Sequence, residues 1–286
     1  MVEPDATSGR RLLALPGAGV AGVVGGGWRG LALAAAAIFA PAAALAGAWT
    51  WPEGTGQAIL SLQAGDGAYG GATQSGAAAR ETRLETSLDV EYGLKDWLTV
   101  FVRGGLEDYA IAAPVADSYR GLDTSAAGLR ARLFSSTSLV WSVEGTALVP
   151  GAEDPLRPAQ AGNTGFDSDW RTLVGSSFVL GSWPSFFDAS LGYRTRTAGP
   201  PDEWRADLTF GVHPRQDVTI MLQSFNAVSD GSHAPQFPAQ QTMIVEPSLV
   251  YDLDKNWSLQ VGVYATPRAV AANREAGAVV AVWRQF

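Results

Sequence analysis

The residues able to do chemistry are arginines and carboxylates that recur at alternate positions. Arg83, Glu85, Asp89 and Glu91 share one parity of a single stretch. Arg103 and Glu107 form a second set. Arg130, Arg132 and Glu144 follow, then Asp169 and Arg171, then Asp188, Arg194 and Arg196, then Glu203, Arg205 and Asp207, and finally Glu246 and Glu275. In an extended chain successive side chains point to opposite faces, so each set lies on one side. Such a surface can pair within itself as an ion network, or it can line a wet path that polar solutes cross. Phe101, Phe186, Phe225, Tyr264 and Trp283 share the same parity. Rings beside ionised groups suit stacking on sugar faces or other flat solutes. They equally suit plain packing of a wall.

Catalytic signatures are sparse. The histidines are His213 and His233, and there is no HExxH segment and no serine nucleophile elbow. His213 follows the parity of the charged face and Ser224 the opposite one, so the pair a lipid-modifying enzyme would need falls on two sides of one wall. With zero cysteines, thiolate metal sites and cysteine nucleophiles are excluded. The expectation is a chain without enzymatic activity, metal or cofactor. The net charge of -8 argues against nucleic acid as a partner, because phosphate binding needs a basic face. Gly17, Gly19 and Gly22 match a dinucleotide fingerprint, but no strand precedes them, so that reading is discarded.

The elements that must hold these residues are strands. In 83–92, Leu84, Thr86, Leu88, Val90 and Tyr92 face away from the charged set. In 203–212, Trp204, Ala206, Leu208, Phe210 and Val212 do the same. This alternation marks twelve segments: 57–65, 80–93, 97–108, 124–134, 138–150, 169–181, 184–196, 203–213, 217–228, 241–253, 257–267 and 274–286. Connections alternate between tight turns (93–96, 135–137, 181–184, 214–217, 252–256) and longer loops (66–79, 109–123, 151–168, 197–202, 229–240, 268–273). Short turns at one end and long loops at the other describe an outer-membrane barrel.

Aromatic residues follow the same plan. Tyr92, Trp97, Tyr251, Trp257 and Phe286 cluster at the tight-turn end of the apolar face. Trp170, Tyr193 and Trp204 sit at the long-loop end. Two such belts suit the two lipid–water interfaces, where rings pack in hydrocarbon and polar edges stay wet. A soluble sandwich would have to bury the apolar face and solvate the charged one. Charged residues make up 17% of the chain, below the roughly one quarter of an ordinary soluble domain, and with many Gly and Trp this argues against disorder.

Residues 1–46 read as a cleaved secretory signal peptide. Arg29 precedes the apolar run Leu31–Ala40, and Ala44-Leu45-Ala46 has the form of a cleavage site. The run falls short of the ~20 apolar residues of a spanning helix, and Pro41 ends it. Residues 47–56 then form a periplasmic N-terminal segment and 57–286 the membrane-spanning domain. The reading is an all-β, twelve-stranded antiparallel transmembrane barrel in the outer membrane of a Gram-negative bacterium. Its direct partner is the lipid bilayer. The last strand, ending in Phe286, has the form used by the barrel-assembly machinery, although Arg284 stands where an apolar residue is usual.

Two stretches carry a family resemblance. Ala46-Gly47-Ala48-Trp49-Thr50-Trp51-Pro52-Glu53-Gly54-Thr55-Gly56-Gln57 resembles the opening of the XagA family, and Val90-Glu91-Tyr92-Gly93-Leu94-Lys95-Asp96-Trp97-Leu98-Thr99-Val100 is similar to a stretch of it. These are outer-membrane proteins encoded with glycosyltransferases for biofilm exopolysaccharide. The resemblance implies a role in moving polysaccharide across the outer membrane, with polysaccharide or periplasmic secretion components as partners, and supplies no catalytic residue. The functional expectation is therefore a channel for exopolysaccharide export or for small polar solutes. The alternatives are a closed barrel that binds through its outer loops and a lipid-modifying enzyme.

Overall fold

The computed structural model describes residues 47–70, 79–151, 158–159, 165–197, 200–231 and 237–286. The expected leader, 1–46, lies outside them. The described chain is strand throughout: β1 (Gly56–Ala68), β2 (Arg80–Lys95), β3 (Leu98–Ile111), β4 (Asp117–Leu122), β5 (Ser125–Ser135), β6 (Leu139–Val149), β7 (Asp167–Leu180), β8 (Trp183–Thr195), β9 (Glu203–Arg215), β10 (Val218–Ser229), β11 (Gln240–Asp252), β12 (Trp257–Val270) and β13 (Arg274–Gln285). Each strand pairs antiparallel with its neighbours. β1 pairs with both β2 and β13, and β2 also pairs with β3, so the sheet closes on itself; among the described strands β4 pairs with β3 alone. Closure satisfies the backbone of the paired staves internally, which a bilayer interior demands.

Thirteen strands make twelve staves, because β4 and β5 share one. Both pair with β3: Leu122 lies opposite Leu106, and Ala126 opposite Arg103. Between them one extra residue is inserted on the β4–β5 side. At this bulge the Asp123 N–H donates to the Gly105 carbonyl at 3.0 Å. The long loop expected over 109–123 is mostly strand. β3 runs on to Ile111 and β4 returns from Asp117. Alternation continues there because Tyr109 and Ile111 have a core to enter, made with Ala79 and Ala159 and flanked by Tyr69, Val115 and Tyr119.

The exterior is apolar. Leu60, Leu84, Leu106, Leu129, Leu191, Leu222 and Val263 are exposed on it. A surface so rich in uncovered leucine and valine needs hydrocarbon rather than water around it. Every expected belt residue points outward: Tyr92, Trp97, Tyr251, Trp257 and Phe286 near the tight turns, Trp170, Tyr193 and Trp204 at the other end. The last three lie abreast on β7, β8 and β9, with Trp170 opposite Tyr193 and Tyr193 opposite Trp204. The Tyr193 and Trp204 rings meet edge on at 5.0 Å. Arg284, the odd residue of the terminal strand, lies over the Trp257 ring at 4.9 Å, so its charge rests on an aromatic face at the interface. In the adjoining turn, Asp254 accepts the N–H groups of Asn256 (2.7 Å) and Trp257 (2.9 Å). Those bonds hold its carboxyl below the usual aspartate range.

Candidate functional site

The interior holds three things: a plug at the tight-turn end, an apolar cluster beside it, and charged walls. The plug is the N-terminal segment. The Ala48 N–H donates to Asp188 Oδ2 at 2.6 Å, and the Ser142 hydroxyl donates to the Ala48 carbonyl. Arg130 Nη1 donates to the Trp49 carbonyl at 3.2 Å. The Trp51 N–H donates to Thr99 Oγ1 at 2.8 Å, and its indole Nε1–H to Glu91 Oε2 at 2.9 Å. The segment therefore crosses the barrel from β8 over β6 and β5 to β3 and β2. It then reaches the tight turn after β2, where the Thr50 hydroxyl donates to the Asp96 carbonyl and Lys95 meets Glu53 at 2.6 Å. Ala48, Thr50 and Trp51 are buried.

Two glycines make room for this crossing. A Cβ at Gly93 would strike the carbonyls of Trp51 and Pro52, and one at Gly175 would overlap the Trp49 indole. Trp49 meets Phe186 edge on at 6.5 Å. Phe186 in turn packs with Met221, Val250, Ala281 and Trp283, with Trp49 and Ile59 at the margin. Phe186 and Trp283, expected as rings along a solute path, are instead buried in this apolar cluster. The cause is the plug, which brings apolar surface inside the barrel and gives them something dry to pack against. Trp283 still satisfies its indole N–H on Gln260 Oε1 at 3.1 Å, and Gln260 donates to Glu246 Oε1 at 3.2 Å. Phe101 lies under Arg130 at 5.8 Å. Phe225 lies half-buried on β10.

The charged residues divide by wall. Arg130, Glu144 and Arg171 are direct partners across β5, β6 and β7. Arg130 is buried between Glu91 (3.0 Å) and Glu144 (2.9 Å) while holding the plug. On β7–β9 the charges interlock. Arg171 meets Asp169 at 2.7 Å and also Asp207. Arg194 meets Asp169 at 3.3 Å and Glu203 at 3.6 Å. Arg196 meets Glu203 at 3.1 Å and Asp167 at 3.8 Å, and Arg205 meets Glu203 at 3.5 Å. On the wall formed by β13, β1, β2 and β3, Arg83 lies 3.1 Å from Glu107 and 3.7 Å from Glu275. Arg103 bonds Asp89, with its side chain largely open to the lumen. Glu85 and Arg132 make no ion pair among the described residues, and Asp188 serves the plug.

Several site residues escaped the sequence reading. Glu81, on the same parity as Arg83, accepts the Tyr109 hydroxyl, and Asn273 Nδ2 donates to that hydroxyl at 2.8 Å. Continuing the alternation by one step at each end would have found Glu81 and Tyr109. Thr99 and Ser142 share the inward parity of Phe101 and Glu144 but have no charge to single them out, and Trp49 and Trp51 lie outside the alternating segments.

No family model matches this sequence, and no curated protein matches it. Among solved structures, the fold is similar to an outer membrane channel from Pseudomonas putida F1, with a TM-score of 0.64 over 84% of this chain and 98% of that one, at 13% identity. It is also similar to the NanC porin, with a TM-score of 0.50 over 78% of this chain and 98% of that one, at 10% identity. The likeness is one of fold: a closed antiparallel barrel of the outer-membrane type.

Proposed function

We propose that this chain is an outer-membrane channel for polar solutes, an exopolysaccharide foremost, closed at its tight-turn mouth by residues 47–55. One observation carries the reading. The interior is charged and polar, and the body proposed to close it is the short segment leading into β1, seated by hydrogen bonds, the Lys95–Glu53 pair and the indoles of Trp49 and Trp51. Twelve staves enclose more space than the eight whose side chains fill a barrel, so removing the segment leaves a path. The likeness in fold to an outer membrane channel and to the NanC porin supports transport. The XagA resemblance supports polysaccharide as the cargo. The terminal strand, with Phe286 outward at the interface, supports delivery by the barrel-assembly machinery.

The well-seated plug also favours a second reading, a permanently closed barrel that works through its loops. A lipid-modifying enzyme finds no support. His213 is buried against Phe186 and Thr219, and Ser224 lies on the opposite face beside Asn226. Conductance in planar bilayers separates the two surviving readings. The full chain is expected to show small or rare openings, and Trp49→Ala with Trp51→Ala large and frequent ones. Silence in both selects the closed barrel. Export is tested by deleting the gene and staining the surface matrix. Loss of matrix is expected, and unchanged matrix rejects a polysaccharide cargo.

A further inference from the structure

At the long-loop end, the outward face changes character around the barrel. On β7, β8 and β9 it carries the Trp170, Tyr193 and Trp204 rings. On β12, β13 and β2 it carries Arg268, Arg274 and Arg80 instead, all exposed. Arg274 and Arg80 both lie opposite Ala68 of β1, so they flank one outward alanine at one level. Arg80 pairs with Asp66, an exposed acid of the same face. Arg268 donates to Gln241 Oε1 at 2.8 Å, and neither Arg268 nor Arg274 has an ion pair among the described residues. Glu81 and Glu275, next in the chain to two of these arginines, are buried on the opposite face. Residues 67–79 and 268–274 contain no acid, so the connecting segments bring no counter-charge of their own.

Toward the membrane from these arginines the same face is small and apolar. Ala276 lies opposite Ala265, and Ala278 opposite Val263, with all three alanines exposed. This track leads to a shallow outward dent of about 390 Å³ between β11 and β12, lined by Pro247, Leu249, Val261 and Val263, with Ser248 and Gly262 at its floor. A break in the ladder accompanies it. The paired rungs stop at Val245–Ala265 and resume at Ser248–Gly262. Pro247 stands in that gap and has no N–H for a rung. Ala278, beside the dent, stands four residues from Arg274 on β13, about 13 Å of strand. Unpaired guanidinium groups at an interface suit phosphate, and an apolar dent within one acyl chain's reach suits the tail of the same molecule.

We propose that this face holds a phosphate-bearing lipid of the outer leaflet. Arg268 and Arg274 take its phosphate, beside Arg80, and one acyl chain lies over Ala276 and Ala278 into the dent. The long loops of such a barrel lie outside the cell, so these arginines meet the outer leaflet. The site needs the barrel in its bilayer and does not depend on whether the lumen conducts. The test is native mass spectrometry of the full, detergent-folded chain with three probes: bisphosphorylated lipid A, the same lipid A stripped of both phosphates, and inorganic pyrophosphate. One copy of the phosphorylated lipid is expected to stay bound, about tenfold more tightly than the stripped one. Arg268→Ala with Arg274→Ala is expected to erase that preference by weakening the phosphorylated lipid alone. Val263→Phe, which fills the dent, is expected to weaken both lipids severalfold. Arg120→Ala, an outward arginine 3.8 Å from Asp108, is expected to bind like the parent. Each variant is checked for the heat-modifiable gel mobility of a folded barrel. Equal binding of the two lipids, no lipid binding, a loss in Arg120→Ala as large as in the arginine pair, or a Val263→Phe variant that binds like the parent would overturn the site. Displacement of the lipid by an equal concentration of pyrophosphate would leave a site for free anions and reject the lipid.

Discussion

The two charged walls of the lumen use the same residue types to different ends. On β7–β9, Arg171, Arg194, Arg196 and Arg205 interlock with Asp167, Asp169, Glu203 and Asp207, and nearly every charge touches its opposite. On β13, β1, β2 and β3, Glu107 and Glu275 share Arg83, Arg103 is taken by Asp89, and Glu85, opposite Glu107, makes no ion pair among the described residues. A balanced network holds a wall together at little cost in net field. An unbalanced one leaves like charges close together at a cost in free energy. Residue type therefore does not separate a paired charge from a crowded one. The count of opposite neighbours does.

The largest effect is expected where the plug and the ion pairs share a residue. Arg130→Ala strands Glu91 and Glu144 without their cation and releases the Trp49 carbonyl. A loss of about 3–5 kcal/mol is expected in chemical unfolding from detergent, together with an open mouth in bilayers. A fully stable, closed variant would show that the plug is held elsewhere. The next change tests the balanced wall. Asp169→Asn removes the acid shared by Arg171 and Arg194, and a loss of about 1.5–3 kcal/mol is expected. On the unbalanced wall the matching change has the opposite sign. Glu85→Gln relieves a like-charge pair and is expected to leave stability unchanged or raise it by up to about 1 kcal/mol. Equal destabilisation by Asp169→Asn and Glu85→Gln would erase the distinction between the walls.

The smallest expected effect lies outside both, in the turn held by Asp254. Its carboxyl is held below the usual range, so its contribution is complete above ordinary aspartate values and fades as pH falls through the folded-state value. Asp254→Ala is expected to flatten the acid limb of the unfolding curve slightly and to leave neutral stability almost unchanged. A large neutral loss would give this turn a role in closure.

Much of the barrel is legible in the chain because its signal is local. Leu84 and Glu85, or Trp204 and Arg205, take opposite faces wherever a strand forms, and Pro214 to Asp217 turns without regard to what lies across the lumen. That local rule also separates belt from interior. It fails at 109–123, where Pro114, Gly121 and Asp123 look like loop while Tyr109, Ile111 and Tyr119 still alternate into a small core.

The sequence by itself determined the period of the strands, the side on which each charge falls and the alternation of turns with loops, because each depends on neighbours in the chain. Only the tertiary structure decided which charges meet and where residues 47–55 lie. Arg194 meets Asp169 and Arg130 meets Glu91 through the register of a closed sheet. Trp49 and Trp51 enter the lumen because Asp188, Ser142, Thr99 and Glu91, far apart in the chain, converge at one level of the barrel. Cylinder closure sets these distances, and no repeat along the chain encodes them.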